Sequence, residues 1–183
     1  EFRRVLFRSV SVNGYLINNR DRNQIPLSPQ AEHGWWYQFY FATERGKAGY
    51  AANTRDFNEL MWRNNSPTWA FDEATYARSA ASFENPDHAA IVIHNYRWRL
   101  SLVEGDPALD ALEAKLAAGP VISVPAITID GDSDGVVPAT DGSAQAKRFT
   151  GPRQHRIVKG VGHNLPQEAP RDFVAAVIDV DRM

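Results

Sequence analysis

The chain has 183 residues, enough for one ordinary domain with its own core, and carries 43% hydrophobic and 23% charged residues with a formal charge of −2 at pH 7. That balance leaves no electrostatic footprint for nucleic acid or an anionic membrane, and no apolar stretch approaches the roughly 20 residues that span a bilayer. The absence of cysteine rules out a thiol nucleophile, a disulfide framework and thiolate metal sites. A soluble, cytoplasmic protein acting on a small neutral molecule fits these limits.

Arg4-Val5-Leu6-Phe7-Arg8-Ser9 reads as the translation of a short-read sequencing adapter, so residues 1–9 are expected to be a library scar. Val10 to Ile17 then forms a short buried strand, β-branched and mostly apolar, closed by Asn18, Asn19 and Asp21. Residues 10–27 thus supply one core strand and a linker. From Ser28, a plausible N-cap with Pro29 at the first helical position, the period turns helical, and the first helix is expected to run to Glu44.

Phe57, Leu60 and Met61 share a face of the next helix, and Pro86 opens another that holds Ile91, Val92, Tyr96 and Leu100. Asp106 and Pro107 cap a helix with Leu109, Leu112 and Leu116, stopped by Gly119-Pro120. Residues 28–118 therefore read as an all-helical block. Beyond it strand and helix alternate: strand 126–130, helix 141–149, strand 155–159, helix 170–181. A helical block between a lone strand and a closing βαβα run is the order produced when a cap interrupts a mostly parallel sheet, with residues 119–183 as the C-terminal part of the core.

The turn Asp130-Gly131-Asp132-Ser133-Asp134-Gly135 admits three chemical readings. Alternating carboxylates with Gly135 imitate the start of a calcium loop, but the twelfth position is Asp141, Pro138 interrupts it, and a strand leads in. Gly131 to Gly135 also satisfies Gly-x-Ser-x-Gly with Ser133 as nucleophile, although an acid, further strands and His163 would still have to follow. In the third reading Asp134 is the acid that holds His163 in the right tautomer, and His163, in the small-residue turn Gly160-Val161-Gly162-His163, is a general base. Taken alone, the carboxylates could also simply cap a turn. His33, His88, His94 and His155 show no ligand-like clustering, so no metal and no cofactor is expected.

The run Val124 to Pro138 ending in the Asp134 turn, the Gly162-His163 turn, and the stretch Pro166 to Pro170 together resemble the C-terminal end of the α/β-hydrolase family. The helical block narrows the resemblance to epoxide hydrolases and related dehalogenases. Trp36-Tyr37-Gln38-Phe39-Tyr40-Phe41 looks like the first cap helix of soluble epoxide hydrolases, and Asn95-Tyr96-Arg97 is similar to the segment that carries their second substrate-facing tyrosine. The resemblance implies a partial α/β-hydrolase fold, with Asp134 and His163 catalytic and Tyr37 and Tyr96 substrate-binding. Trp35, Phe39 and Phe41 are expected to be packing residues.

The implied activity opens epoxides to diols through an ester on an upstream Asp, using an apolar small-molecule substrate and water. The family's oxyanion-hole motif and nucleophile elbow are not found in this sequence, so the 183 residues alone are expected to be inactive. A haloalkane dehalogenase-like or serine esterase chemistry on the same fold, and a truncated non-enzymatic module, remain alternatives.

Overall fold

The computed structural model describes residues 7–183, so most of the proposed adapter scar lies outside the described residues. Ser9 does not: it opens strand β1 (Ser9–Val12), one residue earlier than the sequence suggested. The described residues divide into two compact units, 7–17, 65–69 and 119–183 in one and 18–64 and 70–118 in the other.

The first unit is built on a three-stranded parallel sheet in the order β1-β2-β3, with β2 spanning Ala126–Gly131 and β3 Arg153–Val158. Val10 pairs with Ile127 and Val12 with Ile129, and on the other side Ile127 pairs with Gln154 and Ile129 with Arg156. Every residue of β2 is buried, as the central strand of a parallel sheet requires. Ile127 and Ile129 share one core with Val161, Leu165, Ala169, Ala176 and Val180, the last two on helix α9 (Pro170–Asp181), which packs against β1 and β2. Full burial of an isoleucine side chain stabilises by roughly 1.5–3 kcal/mol, so this seam helps to hold the strand ends that carry the site.

Two expectations change here. Residues 143–148 form a 3-10 helix rather than an α-helix, and β3 begins at Arg153 rather than His155. Arg153 and His155 are polar, but their side chains bond Thr128 Oγ1 on the face of β2 opposite the isoleucines, so that face is polar where the sequence pattern called for apolar residues.

The second unit is helical. The expected helix from residue 29 to 44 is two helices, α1 (Pro29–Gly34) and α2 (Tyr37–Ala42), and a third, α3 (Glu44–Ala52), begins where it was to end. Ser28 caps α1 by accepting from the Ala31 N–H, but Thr43 is extended and caps α3 through the Gly46 N–H, which breaks the run. Helices α4 (Thr54–Asn65), α5 (Glu73–Ala80), α6 (His88–Arg99) and α7 (Asp110–Ala117) follow, and a four-residue α8 (Leu165–Glu168) precedes α9 in the sheet unit.

Tyr37, Phe41, Tyr50, Met61 and Ile93 form the core of the helical unit, with Trp35, Phe57 and Tyr96 against it. Phe39 and Leu60 are exposed at 51% and 47%, so neither is the packing residue its spacing suggested. Leu109 and Leu112 are exposed as well. Among the described residues no helix is long and apolar enough to cross a membrane.

Candidate active site

Gly131 closes β2 against the histidine loop, which can approach only because the residue has no side chain: a Cβ there would lie 2.3 Å from the Val161 carbonyl oxygen, and beyond it the chain turns away. The three acids of the turn then diverge. Asp130 Oδ2 accepts from the Thr140 N–H at 3.1 Å, Asp132 Oδ1 accepts from the Gly160 N–H at 2.6 Å, and Asp134 turns toward His163. Among the described residues no group of three or more His, Asp or Glu side chains converges as a metal site. The Ser133 hydroxyl donates to Asp132 Oδ1 at 3.0 Å.

Asp134 is 1% exposed at its side chain and accepts three N–H groups. Oδ1 takes those of Val136 at 2.7 Å and Val137 at 2.8 Å, and Oδ2 takes Nδ1–H of His163 at 2.8 Å. Because a carboxylate only accepts, this last bond assigns the proton to Nδ1 and leaves a lone pair on Nε2. His163 is 31% exposed at its side chain. Nε2 bonds none of the described residues, so its lone pair is available to an incoming group.

Asn13, just beyond β1 with φ of 63°, has its side-chain amide 3.4 Å from the same Nδ1 through the atom placed as Nδ2. Two N–H groups cannot bond each other. With the Nδ1 proton directed at Asp134, the two groups stand in contact without a hydrogen bond, and the Asn13 Oδ1 is buried without a protein partner.

Glu168, which sequence reasoning missed, braces the base. Its Oε2 accepts from the Gly162 N–H at 2.8 Å and its Oε1 from the Asn164 N–H at 3.0 Å, the peptides on either side of His163. The spacing of Glu168 from His163, at the end of α8, is the local signal that could have found it.

Tyr37 and Tyr96 are brought together in the helical unit, their rings perpendicular with centroids 5.4 Å apart. Arg97 ties α6 to the end of α2: its Nε donates to the Phe41 carbonyl at 3.0 Å, and one terminal nitrogen donates to the Thr43 carbonyl at 3.1 Å and to Glu44 at 2.9 Å. Burial pushes the Tyr37 hydroxyl well above its ordinary pKa, with Tyr96 adding to the effect through charge and a hydrogen bond. Tyr37 therefore remains a neutral O–H donor throughout the physiological range. Tyr50 is buried beside them, with His88 Nε2 at 2.9 Å and Asn58 Nδ2 at 3.0 Å from its hydroxyl. His155, by contrast, is spent on Thr128 and the Thr140 carbonyl, while His33 and His94 are exposed.

No protein-family model matches the chain. Among solved structures, a Klebsiella pneumoniae protein provisionally described as an epoxide hydrolase superposes with a TM-score of 0.91 at 50% identity over 95% of this chain. The chain carries an epoxide hydrolase-like part of the α/β-hydrolase fold. It spans 58% of that Klebsiella protein. Epoxide hydrolase A of Mycobacterium tuberculosis is 37% identical over 62 residues, which are 34% of this chain and 19% of that protein. A haloalkane dehalogenase loop variant from Bradyrhizobium elkanii shares the α/β-hydrolase fold, with a TM-score of 0.69 at 15% identity over 97% of this chain and 61% of its own.

Proposed function

We propose that this chain is the acid–base and substrate-binding part of an epoxide hydrolase that opens epoxides to vicinal diols through a covalent ester. The observation that carries the reading is the 2.8 Å bond from His163 Nδ1–H to the buried Asp134 carboxylate, which leaves Nε2 as a lone-pair acceptor.

In the first step an Asp carboxylate on an upstream segment attacks an epoxide carbon, forming a C–O ester bond as the ring C–O bond breaks. Negative charge develops on the ring oxygen, and we assign its stabilisation to the Tyr37 and Tyr96 hydroxyls. In the second step Nε2 of His163 takes a proton from water, whose oxygen adds to the ester carbonyl. The tetrahedral intermediate collapses as its acyl C–O bond to the diol breaks, His163 returns its proton to the departing oxygen, and the proton left on the carboxyl passes through water to the ring-derived oxygen, which restores the carboxylate and releases the neutral diol. Asp134 stabilises the transient imidazolium without itself taking the proton. The scheme uses water and side chains alone and needs no metal or cofactor.

The tyrosine pair favours this reading over a dehalogenase, whose leaving halide is already an anion and needs no proton. The test is a chimera in which the chain replaces the corresponding part of the Klebsiella protein, assayed on styrene oxide, a 1-chloroalkane and p-nitrophenyl acetate. Diol formation without halide release is expected. Turnover of the haloalkane or the ester alone would overturn the proposal in favour of the dehalogenase or esterase, and silence on all three would point to a non-enzymatic module.

A further inference from the structure

The chain returns to the neighbourhood of Asp134 and His163 at residues 65–69, which group with the sheet unit although they lie between helical segments in sequence. Asn65 is the last residue of α4, a position whose carbonyl has no donor within its own helix. That carbonyl accepts two N–H groups from elsewhere: Gly135, the residue after the acid, at 3.0 Å, and His163, the base itself, at 3.1 Å. One oxygen thereby joins the two loops whose side chains must meet.

Ser66, 1% exposed, extends the connection. Its Oγ accepts from the Asn164 N–H at 3.1 Å and from Asn164 Nδ2 at 3.0 Å, across 98 residues of sequence. Two residues on, Thr68 donates to the Gly160 carbonyl at 2.9 Å, at the start of the same turn. The approach is close enough that a Cβ on Gly162 would lie 2.5 Å from the Ser66 Cα. With Glu168 included, the N–H groups of Gly162, His163 and Asn164 are all held, so none of the three peptides can rotate without breaking a bond.

Ordinary loop packing also satisfies buried N–H groups. What distinguishes this arrangement is that a single acceptor serves both the acid's loop and the base's peptide, so displacing it changes the distance between them. A displacement of about 1 Å is enough to cost a site on the order of a hundredfold in rate.

We propose that Asn65 and Ser66 are positioning residues that hold His163 in register with Asp134. The inference rests on the reading of that pair as base and acid.

The test uses the 15N-labelled 183-residue chain and the downfield proton resonance of His163 Nδ1–H, which reports the bond to Asp134. Ser66→Ala is expected to speed exchange of that proton with water by about tenfold, the scale of one lost hydrogen bond, while the far-UV spectrum stays that of the folded chain. A folded Ser66→Ala protein with an unaltered Nδ1–H signal would overturn the proposal. Should Ser66→Ala fail to fold, Asn164→Ala removes only one of the Oγ donors and is read the same way: faster exchange supports the proposal and an unchanged signal overturns it.

In the Klebsiella chimera the same Ser66→Ala change is expected to lower kcat for epoxide with KM unchanged, and a raised KM with intact kcat would count against positioning. The resonance needs no substrate, so an inactive chimera refutes the catalytic reading without deciding the positioning one.

Discussion

Asp134 and His163 are joined by a bond in which every atom has one available role: Oδ2 accepts from Nδ1, and Oδ1 is occupied by the N–H groups of Val136 and Val137. The carboxylate cannot swing away without leaving two backbone donors buried and unpaired, a loss of roughly 1–3 kcal/mol for each group. The imidazole is therefore held in one tautomer by a partner that is itself fixed.

Replacing Asp134 by Asn keeps the shape but presents an N–H₂ where an acceptor is needed, which favours the wrong imidazole tautomer. In the active chimera Asp134→Asn is expected to lower kcat on the order of 10⁴-fold. Steady-state kinetics check this, and a loss below about tenfold would remove Asp134 from the mechanism.

His163→Gln should separate the two chemical steps. On the proposed route the ester forms without a base but is not hydrolysed, so intact-protein mass spectrometry of the chimera after brief exposure to substrate should show an adduct of one substrate mass. An unmodified mass would contradict the covalent route.

Tyr37→Phe and Tyr96→Phe each remove one hydroxyl of the pair proposed to stabilise the developing alkoxide. Each is expected to lower kcat for epoxide opening on the order of 10²-fold. Single-turnover rates measure this directly, since the effect belongs to ester formation and not to its hydrolysis. Equal effects on both steps would reduce the tyrosines to packing residues.

Alkaline stability provides a test that does not depend on activity. Tyr76 is fully buried with its hydroxyl donating to the Arg55 carbonyl, and burial pushes its pKa up from 10.0 to about 12. Below pH 10 the group is protonated in both folded and unfolded chains. Between pH 10 and 12 the unfolded chain loses the proton first and so binds fewer, which makes stability fall as pH rises. Urea midpoints across this window should decline in the wild type and decline less steeply in Tyr76→Phe. Parallel slopes would contradict the assignment.

Gly162→Ala places a methyl group 2.5 Å from the Ser66 Cα, a backbone atom that cannot step aside. A loss of about 1–3 kcal/mol is expected from overpacking of this kind. Chemical denaturation checks it, and an unchanged midpoint would mean that the loops separate more easily than their bonds imply.

What could be read from the sequence was what local chemistry encodes. Ala126 to Asp130 is rich in β-branched residues and ends in an acidic turn, so the strand and its turn were legible, as were the Ser28 cap and the helix from Pro170. The pairing of Asp134 with His163 could be inferred because each residue sits in its own recognisable turn. Thr43 was overlooked as a helix break because it lies among aromatic residues whose spacing continues across it. The 3-10 segment at 143–148 reads in the sequence only as a helix over 141–149, because propensity does not separate 3-10 from α over six residues. Asn65 and Ser66 had no local signal, since their bonds reach Gly135, His163 and Asn164 only once the chain has folded.

The location of residues 65–69 bears on recombination between relatives. The helical unit occupies 18–64 and 70–118, so the stretch between Ile17 and Gly119 is not an exchangeable cassette. A swap with crossovers at its two outer ends would import a foreign Asn65–Ser66 equivalent beneath a native histidine loop, whereas four crossovers, two of them flanking residues 65–69, would exchange the helical unit and leave His163 on its own footing.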